Sequence, residues 1–437
     1  METLKFDLTK KSGKFKILNA TNGGPWHKRH ANDQARSNLE DYKAARIPYS
    51  RNHDSALFQE YGGPYSHDIS CIFPNFDADV DDPKSYDFEC TDESILCCLD
   101  AGTETFFRLG QTIEHQIKKH AIFPPKDFKK WAKVCEHIIR HYNEGWANGY
   151  KLNIQYWEIW NEPDLDREDN PYKRTWTGTK MQFFDFYEVC AKYLKECFPN
   201  LKIGGPASCG RVEWCEEFIE EMSKRNVPID FFSWHVYCNE PEQMIYRAGK
   251  IKECLVRCGY ENTESNCNEW NYIRNWQENF VYSIKSIIGI KGAAFTMACI
   301  SESQRVDTID MLMYYDTRPS VFCGVFDYYT YEPLKGYYPL YWYGMFYDMD
   351  AYVKSETNIE NIYSLCGVDK DGKSLSVITY YSENDDAPDK EVKVDFGKEG
   401  KYEIYLLDKD HNGEYIKTTG DLTFNLKVHS CVLIKEI

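Results

Sequence analysis

One pattern limits what this chain can fold into. Before residue 301, strand-length apolar stretches alternate with stretches of helical spacing eight times. The strand candidates are 15–20, 47–54, 105–110, 154–160, 202–206, 231–237, 266–271 and 293–300. Between them, 31–45, 128–142, 181–198, 211–225, 242–258 and 278–288 read as helices. Phe128, Trp131, Cys135, Ile138, Ile139 and Tyr142 show the helical spacing, gathering on one face, and Asp127 stands where an N-cap is wanted. Alternation on this scale predicts an α/β fold, a parallel sheet closed into a (β/α)8 TIM barrel.

From about residue 350 the period falls to two. Segments 375–380, 402–407 and 422–428 alternate apolar with polar, and turns at Asp371-Gly372 and Asn412-Gly413 separate them. A C-terminal β-sandwich accessory domain is expected there. Residues 1–9 alternate too and break at Lys10-Lys11-Ser12-Gly13, so they read as a strand pairing with that domain. The expected division is 1–13 for this strand, 14–348 for the barrel and 349–437 for the sandwich.

A chain of 437 residues accommodates one barrel and a small domain. The net charge of −17 argues against nucleic acid or an anionic membrane as a partner. No apolar run is long enough to cross a bilayer, and Met-Glu-Thr-Leu-Lys-Phe-Asp lacks the basic and apolar regions of a secretory signal. The 17 cysteines form no Cys-x-x-Cys pairs and read as reduced thiols, so a cytoplasmic location is expected. The segment 62–92 reads as a long rim loop. Its aspartates at 77, 79, 81 and 82 lack the Gly and terminal Glu of a calcium loop, which favours solvated surface charge. No metal or other cofactor is expected, and association into a homo-oligomer stays open.

The chemistry concentrates at three strand ends. Tyr156-Trp157-Glu158-Ile159-Trp160 is apolar and aromatic, then stops at Asn161-Glu162-Pro163, where proline cannot continue a ladder. Phe231 to Trp234 leads into His235 and Tyr237, and Asn266-Cys267-Asn268 leads into Glu269-Trp270-Asn271. Two carboxylates on separate strand ends, with His and Tyr between, suit a pair working as acid and nucleophile. Glu158, inside its strand, reads as a buried salt-bridge partner. Arg51 reads equally as a structural ion pair or as a group that sets carboxylate ionisation.

Trp-Glu-Ile-Trp-Asn-Glu-Pro, Ser-Trp-His-x-Tyr and Glu-Trp-Asn together resemble glycoside hydrolase family 39, the β-xylosidases and α-L-iduronidase among the (β/α)8 barrels. The resemblance spans roughly 15–350. It implies a retaining, exo-acting glycosidase hydrolysing O-glycosyl compounds, with an oligosaccharide or glycoside as substrate. Glu162 would be the acid/base and Glu269 the nucleophile, with Tyr237 on Glu269 and His235 on Glu162 or the sugar. His53 and Asn161 would hold sugar hydroxyls, and Trp270 would face the cleft. After the eighth strand the sequence departs from the xylosidases, which carry a Trp segment and paired glutamates there. Glu302 is expected to substitute for one glutamate, and Tyr315 or Phe322 for the aromatic wall. The same chemistry on an α-L-arabinoside, β-glucoside, β-galactoside or α-L-iduronide stays open, as does a non-catalytic carbohydrate-binding barrel.

Overall fold

The computed structural model describes residues 2–27, 37–58, 62–319, 322 and 324–437. Eight parallel strands close into a barrel: β1 (Ile17–Asn22), β2 (Tyr49–Arg51), β3 (Glu104–Leu109), β4 (Tyr156–Ile159), β5 (Lys202–Ser208), β6 (Phe231–Cys238), β7 (Glu264–Tyr272) and β8 (Met311–Tyr314). Each pairs with its neighbours in sequence, and β8 closes the ring on β1. The TIM barrel expected from the alternation is therefore present. Its outer helices are α1 (Leu39–Ala44), α2 (Ile69–Ile72), α3 (Glu89–Asp100), α4 (Phe128–Asn143), α5 (Lys180–Cys197), α6 (Val212–Lys224), α7 (Pro241–Arg257), α8 (Phe280–Ile287), α9 (Ile290–Arg305) and α10 (Tyr337–Met345). Asp127 caps α4 through the Lys130 amide, as its position suggested. Part of the expected helix 31–45 lies outside the described residues.

One strand is corrected. Residues 293–300 lie inside α9, and the eighth strand is Met311–Tyr314. The cause is two-sided burial. α9 packs on β1 and β7 inside and on the strands Ile362–Val368 and Ser374–Tyr380 outside. Its Ala293 to Ile300 stretch is buried throughout and so shows no periodicity.

The barrel interior is filled from below by aromatics. Phe106, Tyr156 and Phe231 meet with ring centroids 5.0–5.6 Å apart. Ala20, Met311 and Met313 complete this cluster. Gly204 on β5 has no side chain because a Cβ there would fall onto the Phe231 carbonyl.

Beyond the barrel, a six-stranded antiparallel sheet faces a three-stranded one made of Glu2–Lys5, Lys390–Asp395 and Thr423–Leu426. A second core lies between them, with Leu4, Val392 and Phe424 against Cys366, Ile378 and Ile434. Glu2–Lys5 runs parallel to Lys390–Asp395, pairing Glu2 with Val392. Ion pairs join sandwich to barrel, Lys291 reaching Asp385 at 2.7 Å and Glu383 at 3.2 Å.

The acidic stretch of the rim segment lies over α4. Asp81 pairs with Lys133 at 2.7 Å and Asp77 with Lys126 at 3.3 Å, Lys133 half-buried and the other three exposed. Among the described residues no single helix is long and apolar enough to cross a membrane.

Since Phe231 is fully buried between two aromatic partners, Phe231→Ala should cost about 3–5 kcal/mol. Chemical denaturation followed by tryptophan fluorescence measures this. A loss below 1 kcal/mol would mean the rings do not plug the barrel.

Candidate active site

One layer above the aromatic plug the inward face becomes charged. Period two carries β2 from Tyr49 to Arg51, β3 from Phe106 to Arg108 and β4 from Tyr156 to Glu158. Arg51 is fully buried, and its guanidinium reaches three strands. Nε donates to Glu158 Oε2 at 2.7 Å, Nη2 to Asn161 Oδ1 at 2.7 Å, and Nη1 to Glu269 Oε1 at 2.7 Å and Asn22 Oδ1 at 3.2 Å. Asn268 Nδ2 donates to the other oxygen of Glu158.

Asn268 and Glu269 are consecutive, yet both point inward. The pairing of β7 with β6 shifts register between Cys267 and Glu269. Such a bulge sets two residues against one and re-aims the side chains that follow. Trp270 then turns outward and is fully buried, its ring 5.4 Å from Tyr314 and 6.4 Å from Phe295 on α9. Trp270 is thus corrected from cleft residue to packing residue.

Glu162 is held by an unusual backbone. Trp160 and Glu162 have φ of 74° and 45°, and Ala207 at the end of β5 has 54°. Such positions cost about 1–3 kcal/mol each and persist only where their surroundings enforce them. Here the Glu162 amide donates to Ala207 O at 2.8 Å, and Thr175 Oγ1 donates to Glu162 O at 2.6 Å.

The two carboxyls meet around His235. One oxygen from each glutamate and a ring nitrogen of His235 all lie within 4.8 Å of one another. His235 Nδ1 is 2.8 Å from Glu162 Oε1 and 3.4 Å from Glu269 Oε2. Tyr237 Oη donates to Glu269 Oε2 at 3.0 Å. The three donors could surround a divalent cation, but Arg51 already supplies positive charge on Glu269 and occupies one of its lone pairs.

Burial and the Asp164 charge push the Glu162 carboxyl up to about 8. Burial also raises Glu269, while His235 and Arg51 oppose the shift. His235 is driven down to about 4, chiefly by burial, and is a neutral imidazole at pH 7. His53, buried and facing Arg51 and Arg108, falls well below its ordinary value. The asymmetry is clear from the hydrogen bonds: the Glu269 carboxyl accepts from a fixed cation and a phenol, and the Glu162 carboxyl contacts a neutral ring.

Several buried polar atoms at this layer have no hydrogen-bond partner among the described residues: His53 Nδ1, Asn161 Nδ2, His235 Nε2 and Asp54 Oδ1. Each unmet group costs about 1–3 kcal/mol, so the ring is built to receive further hydrogen-bonding groups. Tyr315 Oη donates to Asp54 Oδ2 at 2.6 Å, and Arg318 Nε donates to Asp316 Oδ2 at 2.6 Å. Phe322 lies 5.9 Å from Tyr315 and 6.1 Å from Tyr237. Trp276, 6.2 Å from Phe322, is 53% exposed and extends this wall to solvent.

The structure brings Glu162, Glu269, His53, Asn161, His235, Tyr237, Tyr315 and Phe322 together. Glu302 is corrected. It sits in the last turn of α9, which feeds the opposite end of the barrel, and pairs with Arg305 at 2.8 Å. Sequence reasoning missed Asp54 and Asn268 as members of the cluster, and missed Trp276 entirely. A polar residue beside each motif was the only signal for the first two, and a lone loop tryptophan gives none.

Fold and site together define a (β/α)8 barrel with a paired-carboxylate centre at the C-terminal ends of its strands. Residues 62–259 match the family model described as Glycosyl hydrolases family 39, so the resemblance holds across the first two of the three motifs. That match includes Glu162 and stops short of Glu269. A β-xylosidase of Geobacillus stearothermophilus is 30% identical over 189 residues, 41% of this chain and 36% of that protein. The matched stretch thus spans little more than a third of that relative. Among solved structures, a glucosidase from Croceicoccus marinus superposes with a TM-score of 0.79 at 20% identity, covering 100% of this chain and 99% of that one. A monomeric β-xylosidase from Caulobacter crescentus gives 0.70 at 14% identity, with 100% and 99% covered. At these identities the likeness concerns the fold.

Arg51→Lys keeps the charge but offers a point donor in place of a three-way fork. It should destabilise the protein by about 3–5 kcal/mol, because at least one buried carboxylate loses its partner. Equilibrium unfolding at pH 7 reads the loss, and wild-type stability in the lysine variant would mean that charge alone suffices.

Proposed function

We propose that this protein is a retaining, exo-acting glycosidase, with Glu162 as acid/base and Glu269 as nucleophile. The observation that carries the reading is the carboxyl pair, with atoms within 4.8 Å. Retaining glycosidases hold the two groups ~5–5.5 Å apart and inverting ones ~6.5–9.5 Å apart. The family match and the β-xylosidase relative support the same chemistry.

The residues divide the work by their partners. Arg51 and Tyr237 hold Glu269 as the anion whose oxygen attacks the anomeric carbon. Glu162, beside neutral His235, carries the proton that passes to the leaving oxygen as the glycosidic bond breaks. In the tautomer this role requires, His235 Nδ1–H donates to Glu162 Oε1, 2.8 Å away, and the acidic proton sits on Oε2. In the second step Glu162, now a carboxylate, takes a proton from water as that water attacks the glycosyl–Glu269 ester. The carboxylate of Glu269 is released with net retention. The partnerless atoms of His53 and Asn161 would bind sugar hydroxyls.

The sugar is a β-xyloside, or another glycoside admitted by the altered wall. Tyr315, Asp316, Arg318 and Phe322 follow the eighth strand, where the resemblance would put paired glutamates, and they would reshape the pocket. A panel of nitrophenyl glycosides should therefore show a hexoside or arabinoside turned over at least as fast as the β-xyloside. A β-xyloside outpacing every other substrate would overturn that specificity.

The roles separate by mutation. Glu162→Ala should slow hydrolysis of dinitrophenyl glycosides at the deglycosylation step, since no base activates water. Azide should restore turnover and give a glycosyl azide of retained configuration. Glu269→Ala should abolish glycosyl-enzyme formation with every leaving group, and azide in the vacated space should give an inverted product. Acid–base assistance is worth about 10²–10⁴-fold. Exchanged behaviour reverses the assignment, and full activity in both variants moves the site elsewhere.

A further inference from the structure

Asp164 lies two residues beyond Glu162 and is buried. Its neighbours all donate to it: Ser208 Oγ to Oδ2 at 2.7 Å, the Cys209 amide to Oδ1 at 2.9 Å, and Cys209 Sγ to Oδ2 at 3.2 Å. Among the described residues it has no ion-pair partner. Nearby arginines are committed elsewhere: Arg174 to Asp166, Arg211 to Leu165 O and Arg247 to His235 O. A buried charge without a counter-ion is a cost to folding. Binding the loop to β5 would need only a neutral amide, so stability does not account for a carboxylate here.

We propose that Asp164 is a positioning residue for the reaction, a buried anion whose field keeps the proton on Glu162 until the leaving group arrives. The proposal rests on the acid/base role given to Glu162. The groups facing Glu162 divide by element. β2 and its end bring Arg51 and Asp54, β6 brings His235 and Tyr237, and β7 brings Glu269. The segment before α5 brings Arg174, and the end of β5 brings Cys209. Arg51 and Arg174 pull Glu162 towards ionisation, His235 is neutral, and Arg51 binds Glu269 directly. Asp164 and Asp54 are the carboxylates that oppose the two cations, and of the surrounding charges Asp164 raises Glu162 most.

The group has to change state twice per turnover. It gives its proton to the leaving oxygen and recovers one from water. A field from a fixed neighbour acts in both steps and strengthens the base in the second. Asp164 touches neither sugar nor water in this scheme.

The test is a ¹³C NMR titration of the Glu162 carboxyl in glutamate-labelled protein, assigned with Glu162→Gln. It needs no turnover. In wild type the resonance should titrate near pH 8. In Asp164→Asn, which keeps the shape and can still accept from the Cys209 amide, the midpoint should fall by about one unit or more. The alkaline limb of kcat/KM should move with it, and Asp164→Glu should restore both. If the amide variant does not fold, Asp164→Ser takes its place in the titration. An unchanged Glu162 midpoint in the neutral variant overturns the proposal. If the midpoint falls in a protein that cleaves no glycoside, the coupling stands and the glycosidase reading fails.

Discussion

The Arg51 guanidinium is the fixed charge on which the rest of the site depends. Burying it without partners would be prohibitive, so the chain surrounds it with Glu158, Glu269, Asn161 and Asn22. Each partner comes from a different strand end or strand interior, and the fork geometry permits few other arrangements. It also breaks the symmetry of the two rim carboxyls. One is tied to a cation that cannot lose its proton and the other to an imidazole that is neutral at pH 7. Difference of partner, more than difference of burial, sets the two glutamates apart.

Much of this was legible in the sequence. The alternation from Phe15 to Cys258 announced the barrel because its helices keep a polar face and their period, while its strands, buried on both faces, read as short apolar runs that stop at polar residues. It failed at α9, which is apolar around its whole circumference for want of a solvent face. The motifs disclosed Glu162, His235, Tyr237 and Glu269 because a polar residue ending an apolar strand needs a reason.

What the motifs could not disclose was where a strand is irregular. The bulge at Asn268 lies in backbone geometry, so the motif did not show that Asn268 and Glu269 both face inward while Trp270 packs outward. Glu302 was misplaced by the same error that turned α9 into a strand. The wall was half legible. Tyr315 and Phe322 sit close behind a strand end, while Trp276 reaches the cleft only through a loop whose path the sequence leaves open.

The strand Glu2–Lys5 has a consequence beyond its few hydrogen bonds. It pairs with Lys390–Asp395, so one sheet of the sandwich joins segments that lie on either side of the entire barrel in sequence. Closing so long a loop carries an entropic cost of the order of (3/2)RT ln n, and contacts at such separation form slowly. That sheet can only be completed after most of the chain has been made. In topological terms the barrel is an insertion within the sandwich, whose first strand is separated from its partner by the whole barrel. The sandwich thus works as a clasp on the finished molecule. It packs on α9, the helix that leads into β8, and so closes over the seam where the barrel's last strand meets its first.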